Sequence, residues 1–460
     1  MTIRFQPDFL WGAATAAYQI EGAAYADGKG ASVWDAFALI PGKMVPGENG
    51  EIACDHYHRW REDIALMKRL GLKAYRFSIG WPRVLPHGRG ALNDAGVAFY
   101  DQLIDTLLAH GIQPLVTLSH WDLPLALQYE LNGWLSDDLP RIFADYATAV
   151  YDRFGDRVKT WMTLNEPWVT VDGGYFHGAH PPGIRDRRLG YRAGHNLLRA
   201  HAYAVAAYRA GKHNQGQISF AMNSSFSFPA TKSKADIDAA ERAVVNFAGW
   251  FTDPPYYGDY PALLRERLGD MLPAFTAEDS RLLKGSMDYL ALNYYTSEVV
   301  RYAEQAWPMQ YEVVPQPDVF HTETNWPVRP DGFYELLVWL NQRYPGLPFY
   351  VTENGAAVSD KPNAEGFVDD QKRIQYLADH FAAAHRAMKA GVDLRGYMVW
   401  SLIDNLEWSA GYSKKFGLIR VDRQSLQRTI KASGLWYAKV IASGVVETNA
   451  APVALGAAGA

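Results

Sequence analysis

The sequence predicts an α/β fold, a single (β/α)8 barrel (the TIM-barrel architecture) with long βα loops that form an active-site pocket. Three observations support this prediction. Helix, glycine and strand recur in that order along the chain; eight segments have strand character; and no linker-like change of composition interrupts residues 1 to about 445. Alternating helices and strands favour a parallel sheet covered by helices, and eight such strands can close into a barrel. A length of 460 residues suits a barrel with long loops.

The helices and strands are separated by glycines that favour the end of a helix, because glycine adopts left-handed backbone angles without steric cost. Apolar residues recur at helical spacing before each glycine, and β-rich residues follow it. The clearest repeats are helix 57–70, Gly71 and strand 72–78; helix 101–110, Gly111 and strand 112–118; and helix 374–390, Gly391 and strand 392–400.

Eight segments are predicted to be the barrel strands: 9–14, 73–78, 113–119, 159–165, 217–222, 288–293, 349–353 and 394–400. The carboxyl ends of these strands should meet at one rim, where barrel enzymes carry their active sites. The long segments 168–216 and 223–285 should build the walls of a cleft at that rim. We expect one catalytic domain over residues 1–445 and a flexible C-terminal tail over 446–460, which is rich in alanine and glycine.

Composition excludes several classes of protein. A hydrophobic content of 48% with 21% charged residues is typical of a soluble globular enzyme, and a net charge of −5 argues against a nucleic-acid partner. Cys54 is the only cysteine, so no intramolecular disulfide or thiolate cluster can form, and a reducing cytoplasm is the expected location. The sequence shows no signal leader and no long apolar run, so no membrane association is expected. It leaves a homo-oligomer open.

Two five-residue stretches, Thr163–Pro167 and Val351–Gly355, each place a glutamate where an apolar strand gives way to a loop. By the strand count, Glu166 ends the fourth strand and Glu353 ends the seventh. A buried carboxylate is costly unless it is compensated, so two of them at one rim indicate use in catalysis. Glycoside hydrolysis requires such a pair. The alternative for Glu166 is an exposed loop carboxylate before a turn proline.

Several motifs together resemble family 1 glycoside hydrolases, the β-glucosidase family, from Phe9 to about Tyr437. The motifs are residues 9–22, Tyr75-Arg76-Phe77-Ser78, Trp81-Pro82-Arg83, the two glutamate stretches, Asn293-Tyr294-Tyr295 and residues 407–412. The resemblance implies a retaining enzyme that cleaves small-molecule β-glycosides through a covalent glycosyl-enzyme and needs no metal or other cofactor.

The resemblance also implies roles for four residues. Glu166 would be the general acid and then the general base, with a pKa raised by the second carboxylate about 5 Å away. Glu353 would be the nucleophile and must stay ionised. Arg76 and Tyr295 would hydrogen-bond Glu353 and favour its charged form. For Arg76 a salt bridge at the barrel rim is the alternative, and for Tyr295 it is simple packing.

A second set of residues resembles the groups that bind the sugar: Gln19, His120, Trp121, Asn165, Asn293, Trp400, Glu407, Trp408 and Phe416. Asn165 is expected to bond the sugar 2-hydroxyl. His120 could instead be a satisfied core histidine, and Trp400 could simply fill the barrel. Trp168, His180, Asn223 and Trp326 resemble residues on the aglycone side, where some could be scaffold.

These residues predict a β-glucosidase that releases terminal non-reducing glucose from cello-oligosaccharides or from aryl and alkyl glucosides in a closed-ended pocket. The Glu407 carboxylate would repel a 6-phosphate, and Phe416 offers it no donor, which argues against a 6-phospho-β-glycosidase. Lys414 and Lys415 weaken that argument, although a solvated charged loop explains them. A β-galactosidase stays open because Gln19 and Glu407 could accept either orientation of the 4-hydroxyl. A non-catalytic carbohydrate-binding relative is the remote alternative, since both glutamates are present.

Overall fold

The computed structural model describes residues 2–447. Eight parallel strands close into a barrel, which confirms the predicted fold class. In chain order the strands are β1 Leu10–Ala14, β2 Ala74–Ser78, β3 Gln113–Ser119, β4 Thr160–Asn165, β5 Gln217–Asn223, β6 Leu290–Asn293, β7 Phe349–Asn354 and β8 Leu394–Trp400. Each strand pairs with the next and β8 pairs with β1. Every strand begins and ends within two residues of its predicted bounds.

Helices cover the outside of the barrel between the strands. The main ones are His56–Leu70, Asp94–Ala109, Leu139–Phe154, Arg187–Ala210, Lys234–Val244, Trp250–Tyr257, Pro330–Arg343, Gln371–Lys389 and Ala432–Ser443. The shorter ones are Ala17–Ile20, Val33–Phe37, Trp81–Val84, Leu125–Leu131, Pro167–Val171, Ala262–Leu268 and Ala277–Leu283. The glycine after the first predicted helix, Gly71, caps it with φ +76°.

The helix predicted for 101–110 begins earlier, at Asp94. Its first two turns bury Val97, Phe99 and Tyr100 against the core, although Gly96 interrupts the apolar pattern that marks the rest of the helix. Packing of this first part against the barrel therefore extends the helix beyond the segment that the spacing indicates.

Two buried layers hold the barrel. The larger core lies between the strands and the helices. The smaller one fills the barrel interior with side chains from alternate strand positions, among them Leu115, Met162, Tyr289 and Met398. Alanines at the remaining inward positions, such as Ala74 and Ala221, leave room for these large side chains. The interior is thus packed, and the open space lies above it at the strand ends.

The long segments after β4 and β5 build walls above the barrel, as predicted. A small sheet that the sequence analysis did not predict completes one wall, with strands in the order Tyr311–Val314, Glu298–Tyr302 and Ser227–Pro229. It joins the segment after β5 to the segment after β6 and so fixes two separate loops relative to each other.

The two ends of the described chain meet below the barrel. Thr2–Arg4 pairs antiparallel with Val445–Glu447, so Val446 and Glu447 of the predicted tail belong to a strand. The remainder of that predicted tail, 448–460, lies outside the described residues. Within residues 2–447, no helix has both the length and the apolar character that crossing a bilayer requires.

Candidate active site

Glu166 lies directly after β4 and before the helix Pro167–Val171. Its backbone is left-handed (φ 44°). The next residue is a proline, which disfavours right-handed helical angles at the residue before it. The backbone N–H of Glu166 donates to the carbonyl of Ala221 on β5 at 2.8 Å. Its carboxyl is buried and accepts a hydrogen bond at 2.7 Å from Nδ2 of Asn293, the last residue of β6. Contacts with two neighbouring strands therefore fix Glu166, β5 through its backbone and β6 through its carboxyl.

Glu353 lies in β7, one residue before its end, and is also buried. Arg76 on β2 donates from Nη1 to Oε1 at 2.5 Å, and the Tyr295 hydroxyl donates to Oε2 at 2.5 Å. Both oxygens of this carboxylate thus accept a hydrogen bond, one of them from a fully buried guanidinium. Contacts of this kind stabilise the charged form.

Two asparagines connect the surroundings of the two glutamates. Asn165 Oδ1 accepts from Arg76 Nη2 at 2.6 Å and from Asn293 Nδ2 at 3.1 Å, and Asn293 donates in turn to Glu166. The Thr352 hydroxyl donates to Asn293 Oδ1 at 2.7 Å, which fixes the orientation of that amide. A continuous chain of hydrogen bonds therefore leads from Glu353 through Arg76, Asn165 and Asn293 to Glu166.

His120 is a neutral acceptor in this network. Its Nε2 lies 2.9 Å from Asn165 Nδ2, and because an amide nitrogen can only donate, the ring proton must be on Nδ1. Burial and the nearby Arg76 charge lower the pKa of His120 well below its usual value. The ring also stacks on Trp400 at 6.0 Å, so this histidine both packs and orients Asn165.

The two carboxyl groups differ in their protonation. Burial and the neighbouring Glu353 charge raise the pKa of Glu166 to about 8, against the opposing effects of Asn293 and Arg76. Burial raises the pKa of Glu353 too, but Arg76 and Tyr295 oppose it. The pair holds one proton near neutral pH, and because the cation lies beside Glu353, that proton resides on Glu166.

Aromatic rings surround the space above these carboxyls. Trp121 and Trp408 have centroids 4.5 Å apart, and His120 stacks on Trp408 at 5.9 Å. On another side, Phe416 lies 6.1 Å from Tyr295 and 6.3 Å from Trp326. Such rings offer flat apolar faces of the kind that the C–H faces of a sugar cover.

Gln19 and Glu407 supply polar atoms that lack partners within residues 2–447. Gln19 Nε2 donates to the carbonyl of Leu406 at 2.7 Å, whereas the buried Oε1 of the same amide accepts no hydrogen bond. Glu407 Oε2 is likewise buried and unpartnered. Burial and the Glu353 charge raise the pKa of Glu407 to about 8. Unsatisfied buried polar atoms cost about 1–3 kcal/mol each, so a ligand that hydrogen-bonds them recovers that cost.

One cavity of about 790 Å³ brings most of the predicted residues together. Those that line it are His120, Trp121, Asn165, Glu166, Trp168, His180, Asn223, Asn293, Tyr295, Trp326, Glu353, Trp400, Glu407, Trp408 and Phe416. Arg76 and Gln19 are not among its lining residues. Arg76 acts on the cavity through Glu353, and Gln19 is bonded to the residue before Glu407.

A family model described as Glycosyl hydrolase family 1 matches residues 1–445. The chain belongs to glycosyl hydrolase family 1. This membership confirms the resemblance drawn from the motifs, and it confirms the prediction of a glycoside hydrolase.

Individual relatives of this family 1 hydrolase agree over nearly their whole length. It is 44% identical to beta-glucosidase A of Thermotoga maritima over 96% of this chain and 99% of the relative. It is 42% identical to a beta-glucosidase of an Agrobacterium species over 98% of this chain and 97% of the relative. Its structure matches that of the Thermotoga maritima beta-glucosidase in complex with deoxynojirimycin with a TM-score of 0.92, at 44% identity, over 96% of this chain and all of that one (100%).

Several further residues line the cavity of this family 1 hydrolase without having been indicated by the sequence patterns. They are Val169, Asp172, Ser224, Ser225, Ser227, Asn246, Phe247, Glu298, Tyr311 and Val313. Ser224 and Ser225 directly follow β5, so the rule that found Glu166, polar residues at a strand end, could have found them. Val169 lies on the short helix Pro167–Val171, and the others lie on the small sheet or on irregular helical turns, which no periodicity in the sequence indicates.

Lys414 also lines the cavity, although the sequence suggested a solvated loop. Its side chain is half-buried, and Nζ donates to the carbonyl of Glu323 at 2.5 Å. The loop that follows Trp408 therefore folds over the pocket rather than into solvent.

Proposed function

We propose that this family 1 hydrolase is a retaining β-glucosidase that removes terminal non-reducing β-D-glucosyl residues from aryl and alkyl glucosides and from cello-oligosaccharides. The observation that carries the proposal is the pairing of a protonated Glu166 with an anionic Glu353 in one cavity. The names of the Thermotoga and Agrobacterium relatives support the glucoside assignment.

In the first step, Glu353 attacks the anomeric carbon while Glu166 donates its proton to the glycosidic oxygen. The bond from carbon to the leaving oxygen breaks, a bond from carbon to Glu353 forms, and the aglycone departs as a neutral alcohol. Arg76 and Tyr295 hold both oxygens of Glu353. They orient Glu353 for attack, and they hydrogen-bond its carboxylate again when the glycosyl ester is cleaved.

In the second step, Glu166 changes from acid to base. Formation of the ester removes the Glu353 charge, which is one of the two main causes of the raised pKa of Glu166. The pKa of Glu166 therefore falls, and the carboxylate takes a proton from a water molecule that attacks the anomeric carbon. Two displacements on opposite faces return the product with its original β configuration.

Sugar recognition is assigned to the unpartnered polar atoms and the aromatic walls. Gln19 Oε1 and Glu407 Oε2 would accept hydrogen bonds from sugar hydroxyls, and Trp400 and Trp408 would cover the sugar faces. Asn165, whose Oδ1 already accepts two hydrogen bonds, keeps one N–H of Nδ2 for the 2-hydroxyl. We also propose cellulose-derived oligosaccharides as natural substrates and a cytoplasmic location, the latter on the single cysteine.

The closest alternatives differ only in the sugar. The position of Lys414 in the cavity favours a 6-phospho-β-glycosidase, but the Phe416 ring offers a phosphate no hydrogen-bond donor, and Glu407 repels phosphate once it is ionised. A β-galactosidase is the other alternative, and it is supported by a structure of the Thermotoga maritima beta-glucosidase in complex with galacto-hydroximolactam. Comparing kcat/KM for aryl β-glucoside, β-galactoside and 6-phospho-β-glucoside ranks the three, and we expect the plain glucoside to lead.

The test of the mechanism follows the product and the nucleophile. Proton NMR during hydrolysis of para-nitrophenyl β-glucoside should show β-glucose first, before mutarotation. A fluorinated glucosyl inactivator should label Glu353, identified by peptide mapping. α-Glucose as the first product, or a label on another residue, contradicts the proposal, and a complete lack of hydrolysis favours the non-catalytic alternative.

A further inference from the structure

The aglycone half of the cavity has a polar wall that the proposed chemistry does not use. The last residue of β5 contributes Asn223, the segment directly after it contributes Ser224 and Ser225, and the small sheet contributes Glu298. Ser224 and Ser225 are 4% and 3% exposed. The wall therefore presents four polar side chains, and the resemblance assigns one of them, Asn223, to the side of the leaving group.

Three of these side chains lack a hydrogen-bond partner in the described part of the chain. They are the Asn223 Oδ1, Ser224 Oγ and Ser225 Oγ atoms, all buried. Buried polar groups in native proteins are almost always paired, so three neighbouring unpaired atoms, all on residues that line one cavity, indicate a polar ligand. The amide oxygen can only accept, whereas the hydroxyls can accept or donate.

Glu298 decides the sign of charge in this wall. It begins the strand Glu298–Tyr302, and its carboxyl makes no ion pair within residues 2–447, so burial raises its pKa above the usual value. The other acidic residue on this side, Asp172, is different, because His177 Nε2 lies 3.3 Å from its Oδ1 and Arg187 is nearby. Glu298 is thus the carboxyl whose missing partner a cationic or hydrogen-bond-donating ligand can supply.

We propose that Glu298, together with Asn223, Ser224 and Ser225, selects leaving groups that carry a hydrogen-bond donor, and favours an ammonium group over a carboxylate. This inference rests on the proposed β-glucosidase function and adds the class of aglycone. Glycosides of amino sugars, amino alcohols and aminoalkyl phenols have this chemistry. A carboxylate in the same place would face the Glu298 carboxyl, and like charges brought together weaken binding.

The experiment compares three aryl β-glucosides that carry a para aminomethyl, hydroxymethyl or carboxyl group. The measured quantity is the ratio of kcat/KM for the aminomethyl and carboxyl substrates. Differences in leaving-group reactivity cancel when this ratio is compared between wild type and the isosteric variant Glu298→Gln. We expect the variant to lower the ratio about tenfold, as loss of a hydrogen bond to a charged group predicts. The change in kcat/KM for the hydroxymethyl substrate should lie between the changes for the other two substrates.

Glu312→Gln is the matched control. Glu312 lies on the adjacent strand of the same small sheet, but it is exposed and paired with Arg301, while its neighbours Tyr311 and Val313 line the cavity. The control removes the same charge from the other face of the sheet. It should leave the ratio unchanged, and thermal melting should show both variants folded.

Two results overturn the inference. One is an unchanged ratio in Glu298→Gln. The other is an equal change of the ratio in Glu312→Gln, which would mean that any negative charge on this surface has the same effect. Either result can be obtained while the wild type and both variants still hydrolyse glucosides, and in that case the proposed β-glucosidase function is not contradicted. Failure of the wild type to hydrolyse any β-glucoside would instead remove the proposed function itself.

Discussion

Arg76 shows how a single residue separates the roles of two similar glutamates. The side chain is fully buried, and its guanidinium donates to Glu353, to Asn165 and to the Thr117 hydroxyl. The guanidinium contacts Glu353 directly, whereas its hydrogen bonds lead to Glu166 only through Asn165 and Asn293. Its charge also lowers the pKa of Glu166, but burial and the Glu353 charge raise that pKa more. Because this one cation lies closer to Glu353 than to Glu166, the negative charge is favoured on Glu353 and the proton on Glu166.

Glu353→Gly tests the nucleophile. Removal of the attacking carboxylate should lower kcat by several orders of magnitude, because the group that forms the glycosyl ester is lost. A small anion such as azide or formate, which fits the vacated space, should restore turnover of activated aryl glucosides and give an α-configured product. The measurement is product analysis by NMR with and without the anion, and a variant that keeps wild-type rates contradicts the assignment.

Glu166→Ala tests the general acid. The variant should lose much more kcat/KM on alkyl glucosides than on aryl glucosides with acidic phenols, because only poor leaving groups need a proton in the first step. A series of phenols of graded pKa measures this dependence. Equal losses across the series would argue that Glu166 acts in binding alone.

The pH dependence of the wild type follows from the raised pKa of Glu166. The acid is functional while protonated, so kcat/KM for alkyl glucosides should fall as pH rises through about 8. In Glu353→Gln the neighbouring charge is absent, and a carbon NMR titration should find the pKa of Glu166 shifted back toward its ordinary value. An unchanged titration would mean that burial alone sets this pKa.

At the scale of elements, the ends of β7 and β8 approach closely enough to require a glycine. A Cβ on Gly355, the residue after β7, would overlap the backbone carbonyl oxygen of Trp400, the last residue of β8. Glu353 lies two residues before this contact. The spacing of two strand ends thus determines the position of both the nucleophile and a cavity tryptophan.

Gly355→Ala should therefore lower kcat at least about a hundredfold, since a displacement of about 1 Å in a catalytic group has that effect. Gly249→Ala is the matched control, because a Cβ there would lie 3.4 Å from the side chains of Pro261 and Val245, an ordinary contact. Steady-state kinetics of both variants provide the measurement. Near-normal kcat in Gly355→Ala would show that the strand ends can separate without moving Glu353.

At the scale of the whole molecule, a buried ionic cluster holds the loops after β7 and β8 against two helices. Arg373 pairs with Asp360 and Asp370, and Lys431 pairs with Asp360 and Asp404. Both cations are fully buried. The loop after β8 carries Glu407 and Phe416, so this cluster supports one side of the pocket from behind.

Arg373→Met should reduce the free energy of unfolding by about 3–5 kcal/mol, because the buried Asp370 loses its cation and Asp360 keeps only Lys431. Arg395→Met is the control, since its pair with Asp393 is about half exposed (49% and 54%) and should contribute less than about 1 kcal/mol. Urea denaturation followed by tryptophan fluorescence measures both. Similar midpoints for the two variants would contradict the stabilising role of the cluster.

Much of this architecture could be predicted from local patterns. Each barrel strand is a short apolar run before a polar residue, and Gly71 marks a helix end, so the strand bounds follow from neighbouring residues. The small sheet beside the pocket could not be predicted, because Glu298–Tyr302 and Tyr311–Val314 alternate weakly and pair through contacts distant in sequence. The start of the helix at Asp94 was missed for the same reason.

The sequence by itself determined the eight-stranded barrel and the placement of Glu166 and Glu353 at strand ends, because periodicity and strand-end polarity are local properties. Only the tertiary structure decided which glutamate holds the proton, which buried atoms of Gln19, Glu407 and the serines after β5 lack partners, and which side of the pocket carries Glu298. These properties depend on distances between residues from different strands. Burial and charge act through space, and the order of residues along the chain does not contain those distances.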